Sequence, residues 1–237
     1  MKAILARAAL AVLLIWGATA IHGRAADADG VALAIVFDTS GSMKEQVKDA
    51  NGQLTAKYLI ARRALEAIAR RVQEFATNAA SGPRTVYAGL FVFQEPGVRP
   101  AVKFGPLDAR AIQDWARNFS NPDGGTPLGN ALTTAGQAVL NSGLSHKHVL
   151  VITDGINTVG PDPATTMPRL KQQAAQKETS LSVHFIAFDV DAKVFAGVKK
   201  LGATVVGAAN EAQLNTQLEF ILEKKILLEE EEPPKKP

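Results

Sequence analysis

The sequence predicts an α/β fold with a doubly wound, mostly parallel central sheet and helices on both faces. Apolar runs of strand length alternate with helical patterns, which is typical of βαβ units. Residues 31–37 are seven consecutive apolar residues, as expected of a strand that is buried on both faces of a parallel sheet. Acidic and hydroxyl side chains follow several of these runs, and open α/β sheets bind ligands at such strand ends.

The first twenty residues differ from the rest of the chain. Lys2 and Arg7 precede an apolar run over 8–16, and residues 18–20 are small, which together predict a secretory signal peptide at 1–20. An uncleaved anchor is the alternative, but the uncharged stretch has only about 14 residues, against the roughly 20 that a membrane-spanning helix needs. We therefore expect an exported protein without a stable membrane anchor after cleavage, with the bacterial periplasm favoured over secretion.

The amino-acid composition limits which functional classes of protein are possible. The chain has 237 residues, of which 46% are hydrophobic and 21% charged, so it can build a large core. Loss of the signal peptide lowers the formal charge from +3 to +1, and with no concentrated basic patch we expect no nucleic-acid binding. The absence of cysteine excludes thiol nucleophiles and thiolate metal sites. We expect a short lead at 21–29, one domain at 30–228, and a charged, disordered tail at 229–237.

The first half of the domain has five predicted segments. A strand at 31–38 is followed by a polar segment at 43–52, expected to be a loop or the start of a helix. Apolar residues then recur every three or four positions over 54–79, which predicts an amphipathic helix of about seven turns. A strand follows at 85–93, and the alternating, proline-bearing segment 98–104 is predicted to pair with it as an edge strand.

The second half continues the alternation. Helices are predicted at 107–119, 127–140, 167–177, 192–201 and 211–228, strands at 147–153, 181–188 and 204–206, and a loop at 156–165. Asp108 is expected to cap its helix, and Trp115 is expected to lie in the core.

Oxygen-bearing side chains follow three of the predicted strands and turns. Asp38, Ser40 and Ser42 come after the first strand, Thr126 lies in a Gly-Gly-Thr-Pro turn, and Asp154 follows the strand at 147–153. An ordinary helix-capping turn is the alternative explanation for the first three. In a doubly wound sheet, however, the three loops can converge on one edge, where two carboxylates and three hydroxyls form a ligand set suited to Mg²⁺.

This pattern resembles the von Willebrand factor type A (VWA) domain with an intact metal-ion-dependent adhesion site (MIDAS). The resemblance covers about residues 30–228 and implies a Rossmann-like fold with one short antiparallel edge strand, which suits 98–104. It implies a first metal loop with Asp38, Ser40 and Ser42, a second with Thr126, and a third with Asp154, which often acts through water.

The resemblance also implies how the site works. The bound ion, Mg²⁺ with Mn²⁺ or Ca²⁺ as alternatives, is completed by an acidic side chain of a protein partner. In some members the last helix, here 211–228, moves with the metal loops.

Other polar residues are less informative. Asp123 is either a turn residue or a close neighbour of the metal ligands, and Asp162 and Asp189 are expected to face solvent or cap helices. His146, His148 and His184 lack metal-ligand spacing and are expected at strand borders.

An enzyme is not expected, because the chain lacks a Gly-x-Ser-x-Gly elbow, a His-Glu-x-x-His motif, a phosphate loop and a dinucleotide fingerprint. No small-molecule substrate is evident. The alternative is a metal-dependent hydrolase that uses Asp38 and Asp154.

Overall fold

The computed structural model describes residues 27–78, 82–94 and 97–227. The predicted signal peptide, most of the predicted lead and the predicted tail lie outside these residues. The strands are β1 (Ala28–Phe37), β2 (Gln46–Lys48), β3 (Leu54–Ala56), β4 (Val86–Gln94), β5 (Gly97–Pro106), β6 (Leu144–Thr153), β7 (Ser182–Phe188) and β8 (Thr204–Ala208). The helices are α1 (Lys57–Thr77), α2 (Ala109–Asn118), α3 (Leu128–Leu140), α4 (Pro163–Gln176), α5 (Ala196–Lys200) and α6 (Glu211–Ile221).

Six strands form the central sheet in the order β5-β4-β1-β6-β7-β8. All neighbours are parallel except β5, which runs antiparallel to β4 at the edge. The chain leaves the central strand β1 toward β4 and later returns to its other side as β6. The predicted fold class, including its antiparallel edge strand, is therefore confirmed.

Strand β1 is buried on both faces, as its continuous apolar run predicts. Leu33, Ile35 and Phe37 belong to a core with residues of α1, α2 and α6, whereas Ala34 and Val36 belong to a second core with α3, α4 and α5. Because helices cover both faces of β1, polar side chains of this strand can reach solvent or a ligand only at its ends.

The close contact between α3 and the segment before α4 requires a glycine. A Cβ atom on Gly129 would lie 1.9 Å from the carbonyl oxygen of Pro161. Beside this contact, the amide of Thr158 donates to the carbonyl oxygen of Thr126 (3.0 Å), and the amide of Thr126 donates to the hydroxyl of Thr158 (2.8 Å). These contacts hold the loop after β6 against the start of α3.

The segment between β1 and α1 differs from the prediction. Residues 41–44 form a 3₁₀ turn, and β2 and β3 pair as a short antiparallel ribbon, so that α1 begins at Lys57 rather than at residue 54. The carboxylate of Asp49 closes the ribbon by accepting from the amides of Asn51 and Gln53, both at 2.9 Å. This local turn outweighs the helical periodicity of the first predicted residues.

Three later helical segments also differ from the prediction. Helix α4 begins at Pro163, before the predicted residue 167, because the Asp162 carboxylate caps it by accepting from the amide of Ala164 at 2.7 Å. The last predicted helix continues past α6 as a π-helical turn at Leu222–Ile226. The segment predicted as a helix at 192–201 is a 3₁₀ turn at Ala192–Phe195 followed by α5.

Two other predictions are confirmed. The Asp108 carboxylate accepts from the amide of Ala111 at 2.8 Å and caps α2. Trp115 packs against the core and stacks on Phe119, with 4.9 Å between the ring centroids. Within the described ranges, no helix combines the length and the apolar character that membrane crossing requires.

Candidate metal centre

Asp38 lies at the carboxyl end of β1 and has no solvent exposure. One of its oxygens, Oδ1, accepts from the amide of Ser40 at 2.8 Å, and Oδ2 accepts from the hydroxyl of Thr153 at 2.5 Å. The carboxylate is thus fixed by its own loop and by the end of the neighbouring strand β6.

The two serines extend this arrangement to the third loop. Ser40 Oγ and Ser42 Oγ lie 3.1 Å apart within hydrogen-bonding distance, and Ser42 Oγ donates to Asp154 Oδ1 at 2.8 Å. The loop after β1 and the loop after β6 are therefore joined side chain to side chain, at the same edge of the sheet. We call this edge, formed by the carboxyl ends of β1, β6 and β7, the rim.

The loop between α2 and α3 reaches the rim through its backbone. The amide of Asp123 donates to the carbonyl oxygen of Thr39 at 2.8 Å, and the amide of Gly41 donates to that of Gly124 at 3.0 Å. Asp123 therefore acts through its main chain, which agrees with its interpretation as a turn residue.

Thr126 is buried, with 3% exposure, and its hydroxyl faces the same small space as that of Ser42. A Cβ atom placed on Gly155 would lie 3.7 Å from Thr126 Oγ1 and 3.9 Å from Ser42 Oγ. The absence of a side chain at Gly155 keeps this space open between the two hydroxyls. The structure thus brings all five of the predicted site residues to one rim.

The electrostatics of the rim favour a cation. Burial, and secondarily the charge of Asp154, raises the pKa of Asp38 to about 6. Burial also raises the pKa of Asp154, opposed by the hydrogen bond from Ser42 and by the charge of Lys57. A positive ion between two buried carboxylates offsets the cost of ionising them.

Lys57 is a member of this rim that the sequence analysis missed. Its ammonium group is 3.1 Å from Asp154 Oδ2, 2.7 Å from Glu45 Oε2 and 3.0 Å from Asp189 Oδ2. Asp189 faces solvent, as predicted, and its carboxylate also pairs with this lysine. The sequence offered no signal for this, because the helix was predicted to start at residue 54, and only the structure places Lys57 in its first turn, where a cation is unfavourable to the helix dipole and needs an anionic partner.

The histidines occupy positions other than the predicted strand borders. His148 and His184 lie inside β6 and β7, are 0% and 3% exposed, and stack with their ring centroids 5.6 Å apart. Neither contributes a hydrogen bond to the rim residues described above.

The donor chemistry of the rim fits a hard divalent ion. The described residues contain no group of three or more His, Cys, Asp or Glu side chains that could hold a metal. A metal at the rim must therefore combine its two carboxylates with hydroxyl oxygens, which is a set that Mg²⁺ accepts together with water.

Comparison with known proteins supports the fold assignment. A comparison with curated proteins finds no match. The vWF domain of the type V pili tip protein Mfa5 from Porphyromonas gingivalis is similar in structure, with 13% identity and a TM-score of 0.58 over 82% of this chain and 94% of that one. The PilB minor pilin from Streptococcus sanguinis has 16% identity and a TM-score of 0.58 over 81% of this chain.

A further similar structure is proximal thread matrix protein 1 from the mussel byssus, described with a zinc-occupied MIDAS motif, with 18% identity and a TM-score of 0.60 over 83% of this chain. The match spans less than two thirds of the pilin and of the byssus protein, covering 60% and 48% of their lengths. At these identities the structural likeness concerns the fold alone.

The family model of the von Willebrand factor type A domain matches residues 33–157. This segment is more than half of the chain, and it contains all three loops that meet at the rim. The chain therefore belongs to the von Willebrand factor type A domain family.

Proposed function

We propose that the protein is an exported binding module that docks a protein partner through a divalent ion at a MIDAS. Asp38, Ser40, Ser42, Thr126 and Asp154 would hold the ion, with Mg²⁺ as the first choice and Mn²⁺ or Ca²⁺ as alternatives. The observation that carries the proposal is the 2.8 Å hydrogen bond from Ser42 to Asp154, which joins loops 112 residues apart at one rim.

The composition of the ligand set leaves coordination positions that a partner can occupy. Only Asp38 and Asp154 are carboxylates, and the other three ligands are neutral hydroxyls. A divalent ion held in this way keeps part of its positive charge and has coordination positions that the protein does not fill. The ion supplies a positively charged contact for an acidic side chain of the partner.

The location of the protein follows from the predicted signal peptide at 1–20. We propose that the domain at 30–228 acts outside the cytoplasm, with the bacterial periplasm favoured over secretion. In this proposal it has no stable membrane anchor after cleavage and does not bind nucleic acid. The similarity of its fold to pilus proteins is compatible with such a role.

Binding is favoured over catalysis by the state of the two serines. Ser40 and Ser42 interact with each other and with Asp154, and no histidine of the described residues hydrogen-bonds to either hydroxyl. A serine nucleophile needs an adjacent base. A metal-dependent hydrolase that uses Asp38 and Asp154 is the alternative, and a panel of phosphoesters and peptides tests it: turnover that is lost in Asp38→Ala would favour the enzyme.

Affinity capture from the native source tests the binding proposal. The immobilised mature protein is exposed to extract in Mg²⁺ and eluted with EDTA, in parallel with Asp38→Asn and with the matched control Asp162→Asn. We expect one protein to elute from the wild type and from Asp162→Asn and to be missing from Asp38→Asn. An acid-to-amide scan of the captured partner should then identify one residue whose change reduces binding at least tenfold. A partner retained by Asp38→Asn, or indifferent to EDTA, would contradict the proposal.

A further inference from the structure

Lys57 connects three loops of the rim through one ammonium group. The residue itself is 2% exposed and starts α1. Its three carboxylate partners belong to different segments: Glu45 lies after the 3₁₀ turn, Asp154 after β6, and Asp189 after β7. Lys57 also contacts the segment of Glu45 through its backbone, because its amide donates to the carbonyl oxygen of Glu45 at 2.8 Å.

The three carboxylates are not equivalent. The side chain of Asp154 is fully buried, whereas those of Glu45 and Asp189 are 68% and 37% exposed. Exposed ion pairs contribute little to stability, because water screens them. The buried contact with Asp154 is therefore the one that matters for the charge of the rim.

Burying an ammonium group at the beginning of a helix is unfavourable. Desolvation opposes the charge, and the positive end of the helix dipole repels it. Three carboxylates compensate this cost, because each accepts from or pairs with the ammonium group at 2.7–3.1 Å. Lys57 is thus held as a cation, and its role must be understood from the buried anion that it faces.

Asp154 divides its two oxygens between different partners. Oδ1 accepts from Ser42, a proposed metal ligand, while Oδ2 accepts from Lys57. Oδ1 consequently faces the loop that carries Ser42, whereas Oδ2 is occupied by the hydrogen bond from Lys57. Lys57 also offsets one of the two negative charges that Asp38 and Asp154 bring to the rim.

We propose that Lys57 is a positioning residue of the metal centre, an internal cation that orients Asp154 and lowers the intrinsic affinity of the site for a divalent ion. Its ion pairs hold the segments of Glu45, Asp154 and Asp189 together when no metal is bound. It also leaves a bound ion with more positive charge to share with a carboxylate of the partner. This inference rests on the proposed function, because it presumes that the rim binds a metal.

The test compares Mn²⁺ and Mg²⁺ binding by titration calorimetry, together with thermal unfolding in EDTA. Lys57→Met keeps an unbranched side chain, one atom shorter, and removes the charge. We expect it to bind Mn²⁺ about tenfold more tightly than the wild type, because a positive charge a few ångströms from the ion is removed from a partly desolvated site. In EDTA its melting temperature should fall by several degrees, because Asp154 loses its buried counter-ion.

Glu45→Gln and Asp189→Asn are the matched controls. Each removes one exposed partner of Lys57 and leaves its contact with Asp154, so we expect Mn²⁺ affinities within about threefold of the wild type. Lys57→Gln provides a second neutral variant that can still donate to Asp154, should Lys57→Met not fold. It is expected to bind Mn²⁺ more tightly as well.

The outcomes separate this inference from the proposed function. A wild type that binds neither ion overturns the metal centre and the role of Lys57 with it. A wild type that binds Mn²⁺ while the neutral variants bind equally or more weakly overturns only the role of Lys57. A lower melting temperature with unchanged affinity would make Lys57 a structural residue and would also contradict the inference.

Discussion

Two buried carboxylates dominate the rim at the scale of single residues. Asp38 and Asp154 are 0% and 6% exposed; Asp38 accepts from the hydroxyl of Thr153 at the end of β6, and Asp154 accepts from the hydroxyl of Ser42 in the loop after β1. Lys57 balances only part of this negative charge. The metal-free rim therefore retains a repulsion that a divalent ion relieves.

Replacing Asp38 by asparagine tests this balance. Asp38→Asn removes one charge and keeps an oxygen that can accept from the amide of Ser40. We expect the melting temperature in EDTA to stay the same or to rise, since the repulsion with Asp154 is removed. The stabilisation by Mg²⁺, about 2.7 kcal/mol at ~100 times the Kd, should be lost.

Thermal unfolding with EDTA and with Mg²⁺ makes the comparison, and Asp162→Asn serves as the control that keeps the response to metal. Severe unfolding of Asp38→Asn in EDTA would show that the carboxylate is needed for the fold itself.

The five candidate ligands could be predicted because each stands beside a local signal. Asp38 and Asp154 directly follow apolar strands, and Thr126 lies in a dense turn cluster. Lys57 could not be placed in the same way, since its partners Glu45, Asp154 and Asp189 come from segments that only the folded sheet brings together. Local patterns indicate which residues end at the rim but do not reveal which charges pair there.

At the scale of elements, β6 and β7 are joined by a pair of buried histidines. His148 Nδ1 and His184 Nε2 lie 3.3 Å apart. Burial, followed by the charges of His184 and His146, lowers the pKa of His148 to about 3, and burial with the charge of Lys225 lowers that of His184 to about 4. In the unfolded chain both histidines should titrate near their ordinary value, 6.5.

This difference predicts a loss of stability in acid. Below pH ~6.5 the histidines become protonated in the unfolded chain but stay neutral in the folded protein. Each histidine therefore lowers the free energy of unfolding by up to about 1.4 kcal/mol per pH unit until its folded pKa is reached. The stabilising effect is complete above the unfolded pKa and is lost as the pH falls from 6.5 toward 4.

Urea unfolding at pH 7.5 and pH 5 measures the effect. His184→Gln should lose about 1–2 kcal/mol less than the wild type between the two conditions. Gln137→Asn, a neutral change at an exposed position of α3, is the control. Equal losses in the wild type and His184→Gln would refute the prediction.

Glu211 fastens the start of α6 to two other elements. Its carboxylate accepts from Nε and Nη2 of Arg63 on α1 and from the amide of Ala50 in the β2–β3 ribbon, all at 2.8 Å. The ribbon lies in the segment between the first metal loop and α1. The contacts of Glu211 therefore hold this segment, which borders the rim, in place. The sequence gives little warning of it, because strands of three residues have no clear periodicity.

Glu211→Gln should lower the free energy of unfolding by about 1–2 kcal/mol near neutral pH, because three charge-assisted hydrogen bonds become weaker. The pKa of Glu211 is lowered, first by its hydrogen bond with Arg63, so its contribution is present above the unfolded value of 4.5 and is lost as the pH falls below it. Urea titrations should therefore show the difference between the wild type and the variant shrinking as the pH falls below 4.5. A difference that stays constant over that range would assign the effect to packing.

At the scale of the whole molecule, the layered architecture was predictable from the sequence. Continuous apolar runs identify strands buried on both faces, and periodic segments between them identify the covering helices. The ribbon, the early start of α4 and the π-helical turn were not predictable in this way, because caps and tertiary contacts decide them. None of these differences moves the carboxyl ends of β1 and β6, and the prediction of one rim is unaffected.

A crystal structure of the protein soaked in Mn²⁺, with anomalous scattering to locate the ion, tests the metal centre most directly. We predict one strong peak at the rim, coordinated by Asp38, Ser40, Ser42 and Thr126, with Asp154 bound directly or through a water molecule. An ion bound elsewhere, with the rim side chains still hydrogen-bonded only to one another, would contradict the account.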